Sequence, residues 1–210
     1  MKLYALFFQC LHIPYSNAGV SASYATRRES DTLYLYFQGS EGKNDWKNNL
    51  DIPVKAYKRM SKTVWFAHRG FLKVWKELEP ILAPVIADTS VKKIVVCGYS
   101  HGAAIAALCH EYIWYNRPDL RENIEGYGFG SPRVFWGVCT KELKSRFQRF
   151  TVIRNINDLV THLPPAFLGY RHVGKLLEIG KKGNYSALEA HYAENILKEL
   201  KLYETAAKSE

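Results

Sequence analysis

No stretch of the 210 residues approaches the run of about 18 apolar residues that a membrane-spanning helix needs, so a soluble protein is expected. Block repetition at a period of about 20 to 50 residues is missing as well, which excludes solenoids and propellers. Nor is there a Pro/Gly/Ser-rich hinge or a low-complexity linker, and residues 1–210 are expected to form one domain. Cysteine is scarce, with only Cys10, Cys97, Cys109 and Cys139. None has C-x-x-C or metal-ligand spacing, so no metal is expected, and the four read as small core residues in a reducing, cytoplasmic setting.

Acidic residues are outnumbered by basic ones, 20 against 29, which leaves a formal net charge of +9. Lys55, Lys58, Arg59 and Lys62 form one basic group, and Lys141, Lys144, Arg146 and Arg149 another. Neither has the aromatic interleaving or module signature of a nucleic-acid binder, so no nucleic-acid partner is expected. Both groups read as solvated faces, with an anionic lipid surface or an acidic partner as the alternative. The apolar run 1–8 faintly echoes a secretory leader but is broken by Gln9, Cys10 and His12. It reads equally well as the first strand of the domain; cleavage is not expected, and secretion stays open.

What is present is an alternation of strand and helix signals after residue 30, the pattern of an α/β sheet with helices on its faces. Strands are expected at 32–37, 92–97, 124–129, 150–155 and 171–179, and 64–67 reads as a short strand or as the approach to the helix that follows. A helix is expected over 71–87, where Phe71, Val74, Trp75, Leu78, Leu82 and Val85 recur at helical spacing despite Pro80 and Pro84. Another follows residue 100 and stops before Arg117-Pro118, and a last one spans 186–203.

The sharpest motif joins two of these elements. An apolar strand ends on Gly98-Tyr99-Ser100-His101-Gly102, and an alanine-rich helix starts at once. The pentapeptide alone is common, but strand, tight turn and helix in immediate succession are what a nucleophile elbow requires. Its serine takes unusual backbone angles, and a Cβ at either glycine would collide with the neighbouring strand or helix. Ser100 is therefore the candidate nucleophile.

A serine hydroxyl is a weak nucleophile near neutral pH and needs a base, itself oriented by a third group. The order Ser, acid, His is met by Ser100, Asp158 and His191. Asp158 follows the 150–155 strand, although an Asx turn would also account for it. Of seven histidines, His68 and His101 precede the acid or adjoin the serine, and His12 and His110 fall in a strand and in the elbow helix. His162 is too close to Asp158, and His172 opens a core strand. His191, at the start of the last helix, remains the best-placed base; an exposed helical histidine is the alternative. A developing oxyanion would be met by the backbone N–H of His101 and by one from the turn Phe37-Gln38-Gly39-Ser40.

Five segments in order carry a broader resemblance: Phe37-Gln38-Gly39-Ser40 with Asp45-Trp46, His68-Arg69-Gly70-Phe71, the Ser100 pentapeptide, Phe129-Gly130-Ser131-Pro132-Arg133-Val134, and Asn157-Asp158-Leu159-Val160-Thr161-His162-Leu163-Pro164-Pro165. Over residues 30–195 the chain resembles the class 3 lipases, α/β hydrolases that include fungal triacylglycerol lipases. The resemblance implies an α/β-hydrolase fold, with a mostly parallel sheet flanked by helices and a nucleophile elbow. It implies Ser100 as nucleophile, Asp158 as acid, His191 as base, and Ser40 beside His101 as oxyanion residues, with no cofactor. Arg133 reads as a structural ion-pair residue.

The chain departs from that pattern at His101 and Ala103, where many relatives have leucine and glycine. Little room is left between Ser40 and His68 for a long lid; Trp46, Leu50, Ile52, Val54 and Tyr57 would form a small apolar flap or a packed loop. The expected activity is hydrolysis of carboxylic esters, acylglycerols or other lipid esters, through an acyl-enzyme. Acyl transfer to an alcohol and aryl-ester hydrolysis are variants of it. A non-catalytic lipid- or anionic-surface-binding module on the same fold is the rival. Oligomeric state is not legible.

Overall fold

β-Branched and aromatic residues are frequent in the segments that become strands, and the computed structural model, which describes residues 2–18, 22–38, 54–59 and 62–207, arranges them in two sheets. The described chain begins with helix α1 (Leu3–His12) and strands β1 (Ser16–Ala18), β2 (Ala22–Glu29) and β3 (Thr32–Phe37). Next come β4 (Val54–Arg59), β5 (Lys62–His68), α2 (Arg69–Ala87), β6 (Lys93–Tyr99) and α3 (His101–Asn116). Then follow β7 (Ile124–Phe129), β8 (Phe135–Trp136), α4 (Lys141–Arg146), β9 (Phe150–Asn155), β10 (Tyr170–Arg171), β11 (Lys175–Ile179) and α5 (Ala193–Ala206).

The main sheet has the order β1-β2-β3-β6-β7-β9-β11. β1, β2 and β3 pair antiparallel, and β3, β6, β7, β9 and β11 run parallel. This mostly parallel sheet flanked by helices is the α/β-hydrolase architecture. Strand periodicity divides β6 between two cores: Ile94 and Val96 face α2 and α3, while Val95 and Cys97 face the layer of α1 and α5. Helix α3 can lie close to the sheet because its first turns are small; Gly102, Ala103, Ala104, Ala106 and Ala107 are all buried. Such a helix, apolar all round, is held by burial rather than by one amphipathic stripe.

The N-terminal run is a helix, not a strand. Leu6, Phe7 and Cys10 bury one face of α1 beside Ile196 and Leu200 of α5, and Phe7 stacks on Phe129 with ring centroids 4.3 Å apart. In α2 the buried stripe ends on Ile86, and Val85 is exposed. Pro80 and Pro84 sit inside this helix on its exposed side.

Of a second sheet, β10-β8-β5-β4, only the 64–67 segment and the start of the 171–179 strand had a counterpart among the expected strands. Val54 and Tyr57 belong to it as part of β4, not to a flap; Trp46, Leu50 and Ile52 lie outside the described residues. The strand expected at 171–179 is two strands, β10 in the second sheet and β11 in the main one. The Lys141–Arg149 group is not uniformly solvated either. Arg146 is buried, with Nη1 2.9 Å from Oε1 of the fully buried Glu111 and Nη2 on Glu142. Among the described residues no helix is long and apolar enough to cross a membrane.

Candidate active site

Strand β6 delivers the chain to Ser100, which is the N-cap of α3 with φ 54° and ψ −120°. A non-glycine residue in this region is strained and persists only when its surroundings hold it there. The surroundings are the two glycines. A Cβ on Gly98 would stand 2.2 Å from the carbonyl oxygen of Gly102, and one on Gly102 would stand 2.1 Å from that of Phe37. The close approach of β6, α3 and the end of β3 thus fixes the sharp turn that raises Ser100 above the sheet.

Asp158 follows β9 and is fully buried. Its Oδ1 accepts a hydrogen bond from the Val160 N–H at 2.9 Å, and its own backbone N–H donates to Asn155. His191 follows β11 in a single 3-10 turn, Glu189–His191, rather than at the start of the last helix. That turn is pinned by Asn155 Nδ2, which donates to the Ala190 carbonyl at 3.1 Å.

Three side chains from separate loops converge at the carboxyl ends of the parallel strands. His191 Nε2 lies 2.8 Å from Ser100 Oγ, and His191 Nδ1 lies 2.9 Å from Asp158 Oδ2. The network assigns the proton on Nδ1 to the bond with the carboxylate, leaving Nε2 to accept from the serine. Ser100, His191 and Asp158 therefore form one continuous hydrogen-bonded line.

Two contributors were missed. The Tyr99 hydroxyl donates to the His191 carbonyl at 2.7 Å, and its ring stacks on the imidazole at 5.3 Å. Burial, reinforced by the charge of Asp158, raises the Tyr99 pKa well above the ordinary value and keeps the phenol a donor. Gly130 takes φ 58°, and a Cβ there would come within 2.9 Å of His191 Cε1 and 3.1 Å of Asp158 Oδ2. Gly130 stands in the quoted Gly-Ser-Pro-Arg segment, a signal that was available; nothing in the sequence distinguishes Tyr99.

His101 is the first residue of α3, where backbone N–H groups have no intrahelical partner and the helix dipole is positive. Its imidazole packs edge-on against Phe71 at 5.4 Å, and burial pushes its pKa down to about 4. The ring is neutral at pH 7. Ser40, the other expected oxyanion residue, lies outside the described residues; the described chain reaches Gln38, whose carbonyl abuts Gly102.

Among the described residues Arg133 has no ion-pair partner; it donates to the carbonyls of His162 and Pro164, bracing the turn after the acid. His162 stands on that turn, exposed. Among the described residues no three His, Cys, Asp or Glu side chains converge to hold a metal ion.

The family model for class 3 lipases matches residues 34–168. The lipase of Rhizomucor miehei is 30% identical over 149 residues, covering 69% of this chain and 40% of the relative. The secreted mono- and diacylglycerol lipase 1 of Fusarium solani is 28% identical over 168 residues, 75% of this chain and 46% of the relative. The chain thus spans less than half the length of these curated relatives. A solved structure of the Rhizomucor miehei triacylglyceride lipase aligns with a TM-score of 0.66 at 26% identity, over 80% of this chain and 66% of that one. A fungal lipase–inhibitor complex aligns with a TM-score of 0.74 over 90% and 82%, at 22% identity, a likeness of fold alone.

Proposed function

Because the chain belongs to the class 3 lipase family, we propose that it is a serine hydrolase of carboxylic esters, acting on acylglycerols or related lipid esters. The observation that carries the reading is the unbroken line from Ser100 Oγ through both nitrogens of His191 to the buried Asp158. In this reading His191 takes the Ser100 proton as the oxygen attacks the ester carbonyl, then returns it to the departing alcohol. Asp158 holds the imidazole tautomer and stabilises its charged form. The His101 N–H and Ser40 receive the oxyanion, and water releases the acyl group.

The lipid character of the substrate is supported by the relatives, named as lipases of triacylglycerides or of mono- and diacylglycerols. The reading treats 1–210 as one catalytic domain that needs no cofactor. The four free thiols support a cytoplasmic location, and the secreted relatives leave export open.

Labelling with a fluorophosphonate, followed by peptide mass spectrometry, tests the machinery without a known substrate. An adduct on Ser100 that fades in His191→Ala is the expected result, with hydrolysis of an ester panel lost by about a thousandfold or more in Ser100→Ala. Folded protein that takes no label at Ser100 would sink the proposal.

A further inference from the structure

Val138 and Phe167 are 86% and 87% exposed, more than any other large apolar side chain among the described residues. A single exposed apolar residue means little, but these two belong to a group. β8 and β10 pair antiparallel with Trp136 opposite Tyr170. Beyond the pairing, the Gly137 N–H donates to the Gly169 carbonyl at 3.0 Å, and the Trp136 indole N–H to the Leu168 carbonyl at 2.8 Å. The turns at 137–139 and 166–168 therefore emerge side by side and present Trp136, Val138, Phe167 and Leu168 as one exposed knuckle. Behind it lies a hollow of about 410 Å³, in which Trp65, Phe66 and Leu143 join Trp136 and Val138.

The rim of this knuckle is cationic. Arg171 is hydrogen-bonded to the Ala166 carbonyl at 2.5 Å, within the same turn. Arg133 reaches the Pro164 carbonyl at the base of that turn. Lys144 and Arg171 both act on the thiol of Cys139, the residue after Val138, opposing the rise in pKa that burial causes. Glu142 on α4 shares Arg146 with the buried Glu111, so it is the carboxylate set against Arg171, Arg133 and Lys144. The knuckle also shares a loop with the site, since the segment that begins at Asp158 runs directly into 166–168.

We propose that this knuckle docks the protein on a lipid bilayer bearing anionic headgroups. Val138 and Phe167 enter the acyl boundary, Trp136 lies at headgroup level with its ring half-exposed, and Arg171, Arg133 and Lys144 meet the headgroups. The bilayer as partner rests on the reading of lipid esters as substrates, because such a surface is where they reside.

Sedimentation with vesicles of phosphatidylcholine, with and without phosphatidylserine, tests the docking alone. The doubly substituted Val138→Asp, Phe167→Asp protein is expected to bind the anionic vesicles about tenfold more weakly or worse, since two side chains lose their apolar burial. Its turnover of a water-soluble short-chain ester and its melting temperature are expected to match the wild type. Lys144→Glu is expected to weaken binding to anionic vesicles only. Equal binding of wild type and double variant would overturn the proposal, as would a wild-type dimer in gel filtration that the double variant dissolves. If no ester is turned over by any form while vesicle binding still depends on the knuckle, the hydrolase reading fails and the docking surface stands.

Discussion

Ser100 holds a backbone conformation that L-residues avoid, at a cost of roughly 1–3 kcal/mol. Glycine usually destabilises a fold against alanine by about 0.5–1 kcal/mol, but here the order is expected to reverse. Ser100→Gly should unfold at higher urea than Ser100→Ala, although both lack the hydroxyl; the reverse order would mean that the turn is not strained. Gly130 makes the complementary case. Gly130→Ala would push a methyl group against His191 and Asp158, so fluorophosphonate labelling of Ser100 should slow by at least about tenfold, a small misplacement having a large kinetic effect. At this scale the sequence is most informative where geometry demands a residue type. The meeting of Ser100, Asp158 and His191 was legible because chain order and a strand-turn-helix context constrain them. Tyr99 was not, because an aromatic residue ending a buried strand has a sufficient explanation in packing. His101 carried a signal that could be noticed but not interpreted, and its environment is apolar, against Phe71.

At the scale of elements, parallel strands were readable because burial on both faces leaves β-branched, apolar runs. The misread segments are those where two structures satisfy the same pattern. Run 1–8 is too short for periodicity to separate strand from helix, and only the packing of Leu6, Phe7 and Cys10 against α5 decides it. The 171–179 run is continuous in sequence but serves two sheets, and sheet membership leaves no local mark. Two of the four strands of the second sheet, β8 and β10, have only two residues each, below the length at which alternation can be seen. Arg146 was grouped with solvated cations because charge density is visible in sequence and burial is not. Removing the guanidinium takes a charge partner from the fully buried Glu111, so Arg146→Met should destabilise by about 3–5 kcal/mol. Arg146→Met combined with Glu111→Met should cost clearly less than the sum of the single changes, a difference that denaturant unfolding of all three variants can read.

For the whole molecule, buried histidines link stability to pH. Burial pushes His101, His110 and His172 down to about 4 from the ordinary 6.5, and in His172 the guanidiniums of Arg133 and Arg154 push the same way. Between those values the unfolded chain binds protons that the folded chain refuses. Stability should therefore be full above pH 6.5 and fall as the pH drops towards 4, by about 1.4 kcal/mol per pH unit for each histidine. Urea midpoints across that window should show the slope, and His110→Phe should flatten it by one titration. A flat profile would show that these imidazoles are as free to protonate in the folded protein as outside it. The net charge of +9, uninformative as a number, gains meaning only once the fold separates buried cations such as Arg146 from those that rim the β8 and β10 turns. The long reach of the Ser100–His191 bond matters in a different setting, that of synthesis. The two residues are 91 positions apart, and His191 is placed by the turn after β11, the last strand of the sheet. If Ser100 and His191 act as proposed, the serine leaves the ribosome long before its base. A nascent chain is then chemically silent, and reactivity is expected only when translation has passed the turn after β11.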